Sequence, residues 1–436
     1  MMLKELLQHK LETKTATIGV VGLGYVGLPL AVEKAKAGFK VIGFDVQENK
    51  VNKVNAGENY IGDVLPTDLE GLVKKGRLKA TSDYSFIKEV DAIAICVPTP
   101  LDIYKQPNMD YVRSSAEAIA ENLTEGTLVV LESTTYPGTT EELIKPIIES
   151  KGFVIGEDVF LAYSPERVDP GNKDFNTKNT PKVVGGVTEG CTKVAAAMYR
   201  SVLESDVHEV SSPAVAEMEK LLENTFRNIN IGLANEMAIL CNKMGIDVWE
   251  VIKAASTKPY GFMPFYPGPG LGGHCIPIDP WYLTWKAREY NYHTKLIETA
   301  GEINDSMPDF VVQRAMEILN EQGKALKGAK VVVLGIAYKK DIDDYRESPV
   351  LPILERLTKF GAEWVAVDSN IPTFKLNGEM ISTVQLDEKL IESADLTIIA
   401  TNHSDFDYEM IKNCSKMLFD TRNSYDKPQY PNYVKL

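Results

Sequence analysis

A disulfide framework is missing from this chain. Its five cysteines, Cys96, Cys191, Cys241, Cys275 and Cys414, are odd in number, widely spread and never spaced Cys-x-x-Cys. That points to a reducing cytoplasm. Histidine is scarce as well, five residues without a cluster, so no metal site is legible. Basic charge is outweighed: the formal net charge of −14 argues against nucleic acid or an anionic membrane as partner. An anionic ligand would have to meet locally placed Lys, Arg or helix N-termini. The first ten residues mix charge into their apolar positions and do not read as a signal peptide. The long uncharged stretch 15–32 holds four glycines and Pro29, and reads as strand, turn and helix rather than a membrane span.

What is present is a 436-residue chain, 44% apolar and 25% charged, long enough for two or three domains. Thr17-Ile-Gly-Val-Val21 reads as a buried strand. Gly22-Leu-Gly-Tyr-Val-Gly27 follows, then a helix from Leu28 to Ala37 ended by Gly38, then a strand from Lys40 to Asp45. A G-x-G-x-x-G spacing alone is weak. Between strand and helix, with an acid closing the second strand, it is the dinucleotide pattern. Gly22, Gly24 and Gly27 let a pyrophosphate approach the helix N-terminus, and Tyr25 and Val26 lie in the same loop. Asp45 would accept from ribose hydroxyls and repel a 2′-phosphate, favouring NAD. Lys50 is a further candidate cofactor contact.

Strands at 91–97, 127–131 and 159–163 end in Pro98-Thr-Pro100, Glu132-Ser-Thr-Thr135 and Ser164-Pro-Glu-Arg167. Ligands of a doubly wound sheet bind beyond the carboxyl ends of its strands, which makes Thr99, Thr134 and Glu166 candidates. Helix capping is the rival reading for each threonine. Glu166 suits acid–base work over a cofactor cleft. Cys96 reads as core.

Ser212-Pro213 opens a helix with apolar residues at 215, 218, 222, 226, 229, 233, 237, 240 and 244, ended by Gly245. At about 48 Å it exceeds what one domain needs, and is expected to run between domains and to pack against a second copy. Lys220 and Asn224 share a face away from that stripe, where a solvated polar face is the rival reading. A shorter helix over 248–255 leads through an aromatic and proline segment, 258–267, into Gly268-Pro-Gly-Leu-Gly-Gly-His-Cys-Ile-Pro-Ile-Asp-Pro280. This loop sets Cys275 among glycines and prolines, with Asp279 four residues on. Such a loop brings backbone close to something and fixes its own shape, although a free cysteine is more often a buried hydrophobe. Helix resumes at Trp281–Trp285 and again from about Leu296 to Asn304.

The last third repeats the α/β pattern, with a strand and turn over 328–335 and strands at 364–368, 396–400 and 417–420. Lys339 and Arg422 follow strands, as anion-binding residues of an open sheet would; surface salt bridging is the rival. Two nucleotide-type domains around a cysteine loop suggest a dehydrogenase acting on a nucleotide-linked substrate. A thiol can trap an aldehyde as a thiohemiacetal, carry it to a thioester by a second hydride transfer and release an acid by hydrolysis.

Taken together, Gly22 to Gly27, Val97-Pro-Thr-Pro100, Glu132-Ser-Thr134, Ser164-Pro-Glu-Arg167, Lys220-x-x-x-Asn224, Gly272-Gly-His-Cys275 with Asp279, Lys339 and Asp420-Thr-Arg422 resemble the nucleotide-sugar 6-dehydrogenases, the UDP-glucose/GDP-mannose dehydrogenase family. The resemblance covers nearly the whole chain. It implies an α/β fold: two Rossmann-like doubly wound domains joined by a long central helix and a small helical dimerisation domain. The parts are an NAD domain over 1–206, a central helical domain with the cysteine loop over 207–320 and a UDP-sugar domain over 321–436. It implies Cys275 as nucleophile, and Asp279 with Thr134 positioning the water that takes the alcohol proton. Lys220 and Asn224 would stabilise oxyanions, and Glu166 would assist thioester hydrolysis. NAD contacts would come from the glycine loop, Asp45, Lys50, Thr99 and Thr134. Sugar-nucleotide contacts would come from Glu166, Arg167, Lys220, Asn224, Phe265, Tyr266, Gly272, Gly273, Lys339 and Arg422.

The loop departs from the UDP-glucose and GDP-mannose types at His274 and Ile278. It is most similar to the branch acting on UDP-N-acetylglucosamine, with UDP-N-acetylmannosamine next. The implied protein is a cytoplasmic homodimer or higher homo-oligomer without nucleic-acid or membrane partners, supplying polysaccharide or O-antigen precursors. Two rivals belong to other classes. One is a two-electron dehydrogenase or epimerase using NAD transiently, for which the usual Tyr-x-x-x-Lys spacing is absent between Tyr199 and Lys220. The other is a non-catalytic NAD-binding protein.

Overall fold

The computed structural model describes residues 2–62, 64–168, 174–273, 275–425 and 430–436. They divide into two compact units, residues 1–223 with 281–292, and residues 224–280 with 293–436.

The first unit is built on eight strands: β1 (Thr17–Val21), β2 (Lys40–Phe44), β3 (Leu78–Thr81), β4 (Ala92–Ile95), β5 (Leu128–Leu131), β6 (Phe160–Tyr163), β7 (Lys182–Gly186) and β8 (Val207–Val210). Their order is β3-β2-β1-β4-β5-β6-β7-β8. The strands from β3 to β6 pair in parallel, β7 turns antiparallel to β6, and β8 is parallel to β7. The four central strands β1, β4, β5 and β6 are almost wholly buried, as their uninterrupted apolar runs require of a sheet covered on both faces. The chain order reverses between β1 and β4, so a cleft opens there at the carboxyl ends. The N-terminal helix Leu3–Glu12 buries Leu7 and Leu11 in this core. The uncharged stretch 15–32 is β1, the glycine turn and the start of the helix Gly27–Lys36. Among the described residues no helix is long and apolar enough to cross a membrane.

The second unit carries β9 (Lys330–Leu334), β10 (Glu363–Val367), β11 (Thr373–Leu376), β12 (Glu379–Ser382), β13 (Leu396–Ile399), β14 (Leu418–Asp420) and β15 (Tyr433–Lys435). Its parallel sheet runs β10-β9-β13-β14-β15, with β11 and β12 as a separate antiparallel hairpin. The reversal here falls between β9 and β13. Both sheets are Rossmann-like, as expected. Strands β3, β7, β8, β11, β12 and β15 had no counterpart in the sequence reading. The helix expected over 296–304 continues as Lys295–Glu321, with Pro308 inside it. Met307, Val311, Val312, Ala315, Ile318 and Leu319 hold its apolar stripe in the second core, and that burial outweighs the roughly 3 kcal/mol that an interior proline costs.

The helix Pro213–Met244 is continuous over 32 residues. Ser212 Oγ accepts from the amide of Val215 at 3.4 Å, the cap expected at its start. Its exposed side chains include Val215, Met218, Leu222, Phe226, Leu233, Leu240 and Met244, whereas Glu217, Lys220, Asn224, Thr225, Asn228 and Asn235 are buried. Apolar Ala216, Leu221, Ala234, Ala238 and Cys241 are buried beside these polar side chains, so the helix has one mixed buried face and a separate apolar stripe left exposed.

Candidate active site

At the end of β1 the glycines have distinct duties. Gly22 sits at φ +90°, and a Cβ there would meet the carbonyl oxygen of Cys96 at 2.6 Å; a Cβ on Gly27 would lie 1.8 Å from the carbonyl oxygen of Gly22. These two glycines fold the turn against β4 and onto its own helix. A Cβ on Gly24 would meet nothing within 4 Å. Its absence therefore leaves a cradle at the helix N-terminus, which fits the pyrophosphate of a dinucleotide. Asp45 is buried and holds the turn: Oδ2 accepts from the Leu23 amide at 2.9 Å and Oδ1 from the Gln47 amide at 2.9 Å. Each carboxylate oxygen retains accepting capacity for a ribose hydroxyl. Lys50 lies 3.5 Å from Asp45. Tyr25 is exposed, and Val26 packs against the first core.

Thr99 is buried beyond β4, and its carbonyl accepts from the Tyr282 hydroxyl. Thr134, half-buried, follows β5. The next described helical segments begin at Asp110 and Thr140, so neither threonine caps them. Glu166, beyond β6, closes a turn on itself: Oε1 accepts from the amides of Arg167 at 2.8 Å and Val168 at 2.9 Å. Burial opposes its ionisation, but Lys182, those two amides and Lys220 outweigh it and hold the carboxyl below its ordinary range. Arg167 is committed to Glu223, to Glu219 at 3.5 Å and to the carbonyl of Pro181 at 2.9 Å. Burial and the adjacent Glu223 push Glu219 up to about 7, so this carboxylate pair shares a proton near neutrality. Lys220, buried on the same helix, adds its charge to Glu166, Glu219 and Glu223.

In the second unit, Asn224 donates from Nδ2 to Oδ2 of Asp279 at 2.6 Å, both residues being buried. The carbonyl of Cys275 accepts from the amides of Ile278 at 3.0 Å and Asp279 at 2.8 Å, a single turn that leads into the helix Asp279–Ala287. The Cys275 side chain is exposed, whereas Cys96, Cys191 and Cys241 are buried; the bland fate of a free thiol therefore applies to those three and not to Cys275. His274 lies outside the described residues.

The helix also ties the loop down at two points that sequence reasoning missed. Asn228 Nδ2 donates to the Ile276 carbonyl at 3.2 Å, and Asn235 Oδ1 accepts from the Gly268 amide at 3.0 Å. Asn304 braces both, donating to the Asn228 carbonyl and accepting from Asn235. Asn224, Asn228 and Asn235 are spaced four and seven apart, which places them on one face; that spacing was the available signal.

The loop glycines are set by packing. A Cβ on Gly272 would lie 2.5 Å from Cβ of Tyr338, one on Gly273 2.8 Å from the Tyr338 ring, and one on Gly268 2.8 Å from a guanidinium nitrogen of Arg422. The segments after β9 and β14, which carry Lys339 and Arg422, therefore reach the cysteine loop. Burial draws Arg422 down to about 10, with Asp420 opposing, so it is a cation at neutral pH. Phe265 packs edge-on against Phe226, and Tyr266 stacks on Trp249 with ring centres 6.0 Å apart.

Three family models match the chain. The UDP-glucose/GDP-mannose dehydrogenase family, NAD binding domain, matches residues 16–203, its central domain 214–306 and its UDP binding domain 332–427. UDP-N-acetyl-D-glucosamine 6-dehydrogenase of Pseudomonas aeruginosa is 38% identical, covering 81% of this chain and 84% of its own. UDP-N-acetyl-D-mannosamine dehydrogenase of Campylobacter jejuni is also 38% identical, over 89% and 95%. The solved structure of a UDP-D-ManNAc dehydrogenase from Pyrococcus horikoshii superimposes with a TM-score of 0.87 at 34% identity, covering 96% of this chain and 98% of that one.

Proposed function

The chain belongs to the UDP-glucose/GDP-mannose dehydrogenase family of NAD-dependent oxidoreductases, and from that premise we propose that it oxidises C6 of UDP-N-acetylglucosamine to the uronate by four electrons. The observation that carries this reading is an exposed thiol, Cys275, in a loop braced by the buried Asn224–Asp279 pair. The glycine turn and Asp45 would hold NAD, which would supply the hydride acceptor for both oxidations at C6. The work of the chain's own residues is as follows. Asp279 and Thr134 hold the water that takes the alcohol proton. The Cys275 thiolate adds to the aldehyde, and the oxyanion so formed is met by Lys220 and Asn224. The second oxidation leaves a thioester on Cys275. Water then attacks its carbonyl carbon, Glu166 takes the water's proton, the C–S bond breaks and the thiolate returns. Lys339 and Arg422 hold the diphosphate of the sugar nucleotide, each a cation suited to phosphate.

The division into a cofactor part (1–206), a helical middle (207–320) and a sugar-nucleotide part (321–436) belongs to the same reading. So does a homodimer along the helix Pro213–Met244. The apolar positions 215, 226 and 237 recur every eleven residues, as do 218, 229 and 240, and 222, 233 and 244. Eleven residues span about three turns, so these positions stay on one side of the helix with a slow drift that favours a right-handed crossing. A second copy would cover it.

UDP-N-acetylmannosamine is the second reading, favoured by the names of the C. jejuni and P. horikoshii relatives. Turnover on the gluco, manno and galacto UDP-N-acetylhexosamines and on UDP-glucose decides between them. The expected outcome is the highest kcat/KM on UDP-N-acetylglucosamine; a preference for the manno epimer replaces the first reading with the second.

A further inference from the structure

Behind Glu166 lies a cluster of ionisable groups that the reaction as written does not use. Lys182 opens β7 and is 5% exposed at its side chain; its Nζ lies 2.7 Å from Oε2 of Glu132 and 3.4 Å from Oε2 of Glu166. The other oxygen of Glu132 accepts from the Tyr199 hydroxyl at 2.6 Å. Two ammonium groups flank the Tyr199 ring, Lys182 at 5.0 Å and Lys34 at 4.9 Å from its centre. Glu132, Tyr199 and Lys34 are buried.

A buried ion pair is costly to desolvate, and a purely structural role would be served as well by apolar side chains. The Glu132–Lys182 pair is complete at 2.7 Å. Its remaining contact is aimed outward, at the Glu166 oxygen not already held by the two backbone amides. Glu132 and Tyr199 thus fix an ammonium against one face of a carboxylate that stands at a strand end.

We propose that Lys182 is a positioning residue for thioester hydrolysis: locked by Glu132 and Tyr199, it orients the Glu166 carboxylate to take a proton from the attacking water. This rests on the reading of Glu166 given above. Among the described residues, the charged and titratable groups around Glu166 are Lys182 from β7, Lys220 from the long helix and Arg167 in its own loop. Lys34 and Cys96 lie behind them, with Glu132 across Lys182.

The test uses the full chain with NAD and the UDP-N-acetylhexosamine it turns over best. Lys182→Met keeps most of the unbranched side chain and removes its charge. Turnover should fall about 10- to 100-fold, with acyl-enzyme on Cys275 accumulating in intact-protein mass spectra. The acid limb of the pH–rate profile should rise by about one unit or more, and Lys182→Arg should restore most of the loss. Glu132→Gln leaves Lys182 to Glu166 alone, so its acid limb should move to lower pH; this variant carries the test if Lys182→Met does not fold. An acid limb unmoved in these variants, with no acyl-enzyme in Lys182→Met while Glu166→Gln does accumulate it, overturns the proposal. Absence of acyl-enzyme in Glu166→Gln as well overturns the parent reading of Glu166, and the proposal with it.

Discussion

Asn224 Nδ2 donates to Asp279 Oδ2 at 2.6 Å, fixing the carboxylate that begins the helix after the Cys275 loop. Removal of the amide should take one hydrogen bond from Asp279 and one oxyanion donor from the site together. Asn224→Ala is expected to lower kcat about 10²- to 10³-fold, the usual range for one lost donor, with little change in NAD affinity. Stopped-flow absorbance that resolves the first and the second NADH reads the loss at each oxidation. A kcat within threefold of the parent would contradict the assignment.

Gly24 and Gly27 should separate binding from folding. Gly24→Ala meets no atom within 4 Å, so the thermal midpoint should hold while the NAD dissociation constant rises about tenfold or more, because the methyl enters the pyrophosphate cradle. Gly27→Ala drives a Cβ into the Gly22 carbonyl and should lower the midpoint as well. Calorimetric titration and thermal melts on the two variants check both halves; unaltered NAD binding in Gly24→Ala would move the cofactor away from this turn.

Lys34 predicts a pH-dependent stability. Burial, partly offset by Glu132, lowers it to about 8 from its ordinary 10.5. Below pH 8 the folded protein bears the full cost of a buried ammonium. Between pH 8 and 10.5 the unfolded chain binds more protons than the folded one, so stability from this group rises with pH. Lys34→Met removes the cost, on the order of 3 kcal/mol as an upper figure. It should raise the thermal midpoint at pH 7, by an amount that shrinks toward pH 10. A variant no more stable than the parent at pH 7 would contradict this account.

The stripe of the long helix makes the oligomer testable. Leu222 and Leu233 are exposed on the isolated chain, at 63% and 56%. Leu222→Glu with Leu233→Glu should convert a dimer to a folded monomer in sedimentation equilibrium. A parent chain that is monomeric at micromolar concentration would remove the dimer from the proposal.

Much of this was legible in the chain. Gly22, Gly27 and Asp45 announce themselves because a close backbone approach and a carboxylate at a strand end admit few residue types. The cysteine loop was legible because glycines and prolines cannot be set so densely without a shape to fix. The Asn228 and Asn235 tethers were within reach of helical spacing, but a polar face reads as solvated unless something is known to cover it. The Glu132–Lys182–Glu166 cluster was not legible. Its members lie 50 and 16 residues apart, and they meet only because β7 runs antiparallel to β6, a reversal no local pattern marks. The helix Lys295–Glu321 outran its expected end because burial of Met307, Val311 and Val312 overrides the local preference of Pro308.

The central claim is that one thiol carries C6 through both oxidations. It is tested most directly by the NADH formed per limiting UDP-N-acetylhexosamine. The account predicts two equivalents with the intact chain, and a loss of that four-electron turnover in Cys275→Ser with NAD binding retained. One equivalent from the intact chain, or two from Cys275→Ser, would contradict it.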